Sequence, residues 1–240
     1  MVTTNKIMEN QTIEYSTLPL SASTTDSNSR AYGDHPVTEE QAGFELPLLL
    51  SQAMPEDGVP AADEWKKWGR WKRATDGIAW HFYCSDAKFE SVLRQPELLI
   101  DTGAKFATEV NTSSYVDDPF PVSIAGLWRK RTITRVWQDS GISCFIDLNV
   151  AGWVRELVLE GVPKTHQMYA TKYMKTDLNG TPMGLDAVVD DFLLADSHVD
   201  EDVPICFCVY GGGQTVTDFC ETNGWLWLPS VNNRRIAEEG

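Results

Sequence analysis

Ile142-Ser143-Cys144-Phe145-Ile146-Asp147-Leu148 is the clearest strand of the chain, an apolar run that opens directly after Gly141. Upstream, Asp118-Pro119 starts a long helix with Ile124, Leu127, Trp128, Ile133 and Val136 roughly on one side, and Gly141 stops it. Downstream, Trp153 to Glu160 reads as a shorter helix ended by Gly161 and Pro163, and Gln167 to Met174 as the next strand. The alternation continues in both directions. Toward the N-terminus, Ile78 to Cys84 is an aromatic-rich strand closed by Ser85-Asp86. Asp86 caps a helix carrying Phe89, Val92 and Leu93, and Lys105 to Val110 is a second strand beyond the Pro96–Gly103 piece. Toward the C-terminus come a helix over Leu185–Leu194, a strand over Ile205–Tyr210, a helix over Gln214–Thr222 and a last short strand over Trp225–Leu228.

Strand and helix in repeated alternation predict an α/β fold with a mainly parallel sheet, because parallel neighbours need crossover connections. Six strand–helix units within residues 61–240 are too few for a complete eightfold barrel. A partial barrel and an open wound sheet both satisfy the pattern. Residues 1–60 differ in texture: Ser, Thr, Asn, Glu and Pro dominate, and nine acidic residues stand against Lys6 and Arg30. Such a segment buries too little apolar area to offset its ordering entropy, so it is expected to be a disordered acidic tail before a single α/β domain. Its one apolar stretch, Phe44 to Leu50, is expected to dock on the body.

Composition narrows the function classes. No apolar run approaches a membrane span, and Met1 to Asn10 shows no secretory pattern, so a cytoplasmic setting is expected. Five cysteines are an odd count for a disulfide framework, and Cys206-Phe207-Cys208 reads as one face of a strand. The net charge of −15 works against general nucleic-acid binding, but the charges are segregated. Five basic residues fall in Trp65–Arg73 and four in Arg129–Arg135, whereas Asp186–Asp202 holds seven acidic residues and no lysine or arginine.

From Lys88 to about Lys175 the chain resembles an uncharacterised domain family of bacteria and their phages. The residues that carry this are Phe89 through Pro96-Glu97, Phe106 to Asn111, Asp118-Pro119 with Trp128 and Arg131, and Trp137 with Gly141-Ile142. The run to Asn149, Gly161-Val162-Pro163, the strand near Ala170 and the later Tyr210-Gly211 continue it. Members usually show Asp-Phe-Ser after the second strand, where this chain has Thr108-Glu109-Val110. The resemblance implies a phage or mobile-element context and brings no activity with it.

Ligands of parallel α/β folds gather at the carboxyl ends of the strands. Those ends carry Asp86, Glu109, Asn111, Asp147, Asn149, Lys175, Asp177 and Tyr210. Glu109, Asp147 and Asp177 are the candidate catalytic carboxylates, able to hold a divalent metal such as Mg²⁺ or to act as acid and base. Helix capping and strand termination explain Asp and Asn there equally well. Gly211-Gly212-Gly213 before a helix is a candidate anion-binding turn, although it lacks a P-loop lysine. Trp65, Lys66, Lys67, Trp68, Arg70, Trp71, Lys72 and Arg73, extended by Arg129, Lys130 and Arg131, are candidates for stacking bases and neutralising phosphates. The opposing possibility is tryptophans plugged into the core with their cations left in water. Three readings follow: contact with nucleic acid, a metal-dependent enzyme, or an interaction module whose acidic tail binds a protein partner. The four scattered histidines form no metal motif, and no Gly-x-Ser-x-Gly elbow is present.

Overall fold

The computed structural model describes residues 46–69, 79–113, 117–150, 152–176 and 183–230. Residues 1–45 of the expected tail lie outside this set. The strands are β1 (Trp65–Lys67), β2 (Ala79–His81), β3 (Phe106–Thr108), β4 (Ser143–Asp147), β5 (Met168–Lys172), β6 (Cys206–Tyr210) and β7 (Leu226–Leu228). Between them lie α1 (Glu90–Arg94), α2 (Glu97–Ile100), α3 (Phe120–Asp139), α4 (Gly184–His198) and α5 (Gln214–Asn223). Single 3-10 segments at Asp86–Lys88 and Gly152–Leu157 complete the order.

Every strand pair is parallel, and the spatial order β1 to β7 repeats the order in sequence. That order decides between the two expected architectures. A doubly wound sheet reverses direction once, at its switch point. Crossovers that all step the same way keep turning a twisted sheet onto itself. The result is a nearly closed, barrel-like sheet of seven strands. The strand missing from the sequence reading is β1, because the basic residues of Trp65-Lys66-Lys67 disguise it.

Side-chain parity then sorts the residues. Trp65, Ala79, Phe145, Ala170, Cys208 and Leu228 come from six different strands and meet in one buried cluster, with Phe106 of β3 against it. This is the barrel interior. Cys206 and Cys208 share this inward face, as the C-x-C alternation predicts. Residues of opposite parity face the helices: Phe82 stacks on Trp137 of α3 at 5.2 Å, and Trp137 Nε1 donates to Pro96 O. Ile146, Tyr169, Phe207 and Val209 pack under α4 and α5 through Val188, Ala195, Val216 and Cys220. Each such side chain contributes about 1.5–3 kcal/mol by leaving water.

The apolar stretch ahead of β1 docks on the body over its described residues. Leu46 packs on Leu127 and Val154, and Leu49 joins the cluster under the helices. Gln138 of α3 grips the backbone of Leu50 from both sides, accepting from its N–H and donating to its carbonyl. Gly161 has φ +75°, and a Cβ there would stand 2.7 Å from Pro47 O, so the strap needs glycine beneath it. Among the described residues no helix is long and apolar enough to cross a membrane.

The ladder between β4 and β5 is short, pairing only Ile146 with Tyr169 and Asp147 with Ala170. Below it, side chains replace backbone partners. Gln52 Oε1 accepts from Cys144 N at 2.9 Å, and His166 Nε2 lies 3.2 Å from Cys144 O and 3.1 Å from Met168 O. A ring N–H facing two carbonyls satisfies groups that burial would otherwise penalise. Burial pulls His166 down from 6.5 to about 4. The folded chain therefore resists a proton that the unfolded chain accepts, and stability is lost as pH falls from 6.5 toward 4. The His166 contribution is about 3 kcal/mol across that window. Urea unfolding as a function of pH should show His166→Gln with a correspondingly shallower loss than wild type. Parallel profiles would mean that His166 is not held neutral by the β4–β5 split.

Candidate functional site

Glu109 follows β3 and Asp147 ends β4, which places two carboxylates side by side on neighbouring strands. α3 crosses over them with an unusual buried stripe. Of the side expected from apolar spacing, Leu127 and Ile133 are buried while Ile124, Trp128 and Val136 are only half-buried, and Lys130, Arg131, Thr134, Trp137 and Gln138 are buried with them. The reason is electrostatic: the helix turns its cations inward to answer the two acids.

Lys130 Nζ sits between them, 3.7 Å from Glu109 Oε2 and 3.4 Å from Asp147 Oδ2, and donates to Asp147 O at 2.9 Å. Arg131 pairs with Glu109 Oε1 at 2.6 Å and donates to Val158 O. Thr134 Oγ1 donates to Glu109 Oε1, and the Asp147 amide to Glu109 Oε2. Asp147 accepts from Asn111 Nδ2 at 3.0 Å, Tyr83 OH at 3.1 Å and the Asn149 amide at 3.3 Å. Burial pushes both acids up. For Glu109, Arg131 and then Lys130 outweigh that and hold it below its ordinary value. Asp147 shares Lys130 without a second cation, so burial prevails and it stays above its ordinary value.

The arrangement does not fit a metal. The ammonium of Lys130 fills the position between the carboxylates where a cation would lie, and their oxygens already accept from protein donors. Among the described residues no three His, Cys, Asp or Glu side chains form a group able to hold a metal ion. Asp177, the third expected carboxylate, lies outside the described residues.

Above this network is the carboxyl end of the barrel. Counting by two from the interior residues places His81 and Tyr83 inward after Ala79, and Lys172 inward after Met168 and Ala170. Tyr210, the last residue of β6, reaches across to β2: its ring centroid is 5.0 Å from Tyr83 in a stacked pair and 4.8 Å from His81. Lys67 Nζ stands 5.9 Å over the Tyr210 ring, and Lys172 pairs with Tyr210 in strand register. Tyr83 joins the two levels, stacked on Tyr210 and bonded to Asp147. Burial and then Asp147 hold its hydroxyl well above its ordinary value.

Several expected positions fall elsewhere. Trp65 is fully buried in the barrel interior, edge-on to Phe145, and cannot stack a base. Trp68 is half-buried against Phe82 and Trp80. Lys130 and Arg131 are 1 % and 0 % exposed and are not part of a surface patch. Both tryptophans are core plugs, and both cations are counter-ions of Glu109 and Asp147. Lys66 is exposed, while Arg129 is half-buried and donates to Leu93 O. Arg70, Trp71, Lys72 and Arg73 lie outside the described residues. The Gly211-Gly212-Gly213 turn stands at the carboxyl end of β6 and is tied to β7 by Gly211 N to Leu228 O and Trp227 Nε1 to Gly211 O. Gly212 has φ +79°, and a Cβ there would come 2.3 Å from Val216. The sequence reading passed over Tyr83 and Lys172, which strand parity alone could have placed beside Tyr210.

Fold and geometry together define a parallel, nearly closed α/β barrel with a polar mouth above a sealed ionic network. The chain belongs to the family described as a domain of unknown function (DUF4417), which matches residues 38–168. No curated protein and no solved structure matches it. The match contains the whole ionic network and Lys67, and ends as β5 begins.

Removing one partner of a buried ion set leaves the other charge unanswered, at about 3–5 kcal/mol. Lys130→Met and Arg131→Met should each lower the urea-unfolding free energy by that amount, whereas Lys66→Met should stay within about 0.5 kcal/mol of wild type. Equal effects at all three positions would contradict the division into counter-ions and surface cation.

Proposed function

We propose that the chain acts on a small molecule at the carboxyl end of its barrel, as an enzyme whose site is walled by Lys67, Tyr210 and Lys172. The observation that carries this is convergence: Lys67 of β1 stands over the Tyr210 ring of β6, and Lys172 of β5 pairs with Tyr210 in strand register, at the one end of a parallel barrel where loops gather. Glu109 and Asp147 serve as the floor, since Lys130 and Arg131 consume their charge. Asp147 acts on the mouth through Tyr83, whose position it fixes.

Contact with nucleic acid, in a phage or mobile-element setting, would run through Lys66 and Arg129 among the described residues. With Trp65, Lys130 and Arg131 inside the fold, that reading loses one of its three tryptophans and two of its eight cations, and the mouth takes precedence. All five cysteines are free, which supports a reducing compartment such as the cytoplasm.

A mixed set of neutral, cationic and anionic fragments, titrated into the isotope-labelled full chain, tests the location. Backbone amide shifts should concentrate at Tyr210, Gly211, Gly212 and Gly213 for at least one fragment class, and should vanish in Tyr210→Ala. Shifts confined to other surfaces for every class would remove the reading.

A further inference from the structure

We infer that residues 46–54 form a releasable staple across the seam between β4 and β5, and that without it the barrel opens there from its amino end while the strands on either side stay paired. This staple lies at the opposite end of the barrel from the mouth, and its action requires no ligand there.

The seam follows from strand register. β4 and β5 each span five residues yet pair only Ile146 with Tyr169 and Asp147 with Ala170, whereas β5 pairs with β6 at all five positions. In a parallel strand, alternate residues turn both backbone groups to the same neighbour. The Leu148 amide donates to Ala170 O, so Cys144, Ile146 and Leu148 face β5. Ser143 and Phe145 face β3, through Lys105 O and the Glu109 amide. On β5, Gln167 and Tyr173 bond to Cys206 and Tyr210, which leaves Met168 and Ala170 facing β4. Cys144 is thus directed at a strand with which it does not pair. Its N–H donates instead to Gln52 Oε1 at 2.9 Å, and its carbonyl lies 3.2 Å from His166 Nε2. Two side chains stand where a ladder would otherwise continue.

One of them belongs to a segment that grips both sides. Toward β4 and α3, Gln52 Nε2 donates to Ile142 O at 2.8 Å, and Gln138 Nε2 donates to Gln52 Oε1 at 3.0 Å. Arg135 adds a bond to Leu48 O at 2.7 Å. Toward β5, Leu49 N donates to Gly161 O at 2.8 Å, Gln167 N to Gln52 O at 3.1 Å, and Met54 N to Gln167 Oε1 at 2.8 Å. Gln52 is the pivot, because its side chain holds Cys144 while its carbonyl holds Gln167. Leu49 joins the apolar cluster that contains Ile146 of β4 and Tyr169 of β5. The outer side of the segment is nevertheless in water: Leu50 and Met54 are 36 % and 43 % exposed. None of its bonds belongs to the β1 to β7 ladders, so it can leave without unpairing a strand. At the carboxyl end the backbone at Asp147 and Leu148 still joins β4 to β5, and these residues serve as the hinge.

Amide hydrogen exchange of the isotope-labelled full chain, followed by NMR, tests the staple, with Gln52→Ala as the variant. Removing the Gln52 side chain should speed exchange of the Cys144, Ile146 and Ala170 amides, which face the seam, by about tenfold or more. The Phe145, Tyr169 and Thr171 amides, on the same strands but turned to β3 and β6, should stay within about twofold of wild type. A rise confined to Cys144 would reduce Gln52 to a local hydrogen-bond partner and overturn the inference. An equal rise at all of these amides would mean that the barrel opens only as a whole, which also overturns it. Should Gln52→Ala not fold, the wild-type chain in graded urea below its unfolding midpoint supplies the answer. The seam-facing amides should exchange through an opening with less urea dependence than the amides facing β3 and β6, and one common dependence for both sets overturns the staple.

Discussion

The ammonium of Lys130, held between Glu109 and Asp147, is the constraint from which the rest of this structure can be traced. Those two carboxylates end neighbouring strands, and α3 must bring charge to them or leave them buried and unanswered. Arg131 completes the set and reaches on to Val158 O, beyond the 3-10 segment. Tyr83 and Asn111 tie the residues after β2 and β3 to the same Asp147. Desolvating four charged groups costs about as much as their mutual attraction returns, so a well-packed apolar set of similar volume could be as stable. What the ionic set supplies is orientation. α3 has one rotation in which Lys130, Arg131 and Thr134 all find acceptors, and any other would bury a charge alone.

Strand parity carries that constraint to the mouth. Along β2, β5 and β6 the inward positions change from apolar or small to polar toward the carboxyl end: Ala79 then His81 and Tyr83, Met168 and Ala170 then Lys172, Cys206 and Cys208 then Tyr210. The lower interior is filled by Trp65 and Phe145 and is a packed core rather than a channel. Because all strands run the same way, the polar ends collect at one face of the barrel. The fold thus requires only that one inward residue per strand change character to assemble a site, and three strands make that change around Tyr210.

Much of the architecture was legible because it depends on local pattern. Apolar runs bounded by Gly, Pro and Asp place six of the seven strands, and their alternation with helices predicts parallel pairing. The seventh, β1, is three residues long with lysine at two of them, so no apolar period reveals it. The same segment explains the misplaced tryptophan: Trp65 is inward by the parity of a strand that composition alone does not show. Lys130 and Arg131 were hidden differently. Beside Arg129 they read as a surface basic run, and only knowledge that α3 lies across two strand-end acids turns them inward. Glu109 and Asp147 stand out in the sequence by their positions at strand ends. Their roles were not legible, because a role depends on which counter-charge reaches them.

The two levels of polar residues also divide the work of rigidity and recognition. The lower level is balanced, buried and bonded at nearly every oxygen, so it can hold a geometry but cannot respond to a ligand. The upper level sets the half-buried Lys67 and Lys172 at the rim of the buried Tyr210 and His81 rings, where side chains keep more freedom than in the network below. Tyr83 belongs to both: its hydroxyl is fixed by Asp147 and its ring supports Tyr210. The part of the chain matched by the family, residues 38–168, contains the entire lower level, whereas Lys172 and Tyr210 come from strands beyond it. A fixed floor built early in the chain and a mouth completed by later strands is an arrangement in which ligand preference can change without disturbing the network that orients α3.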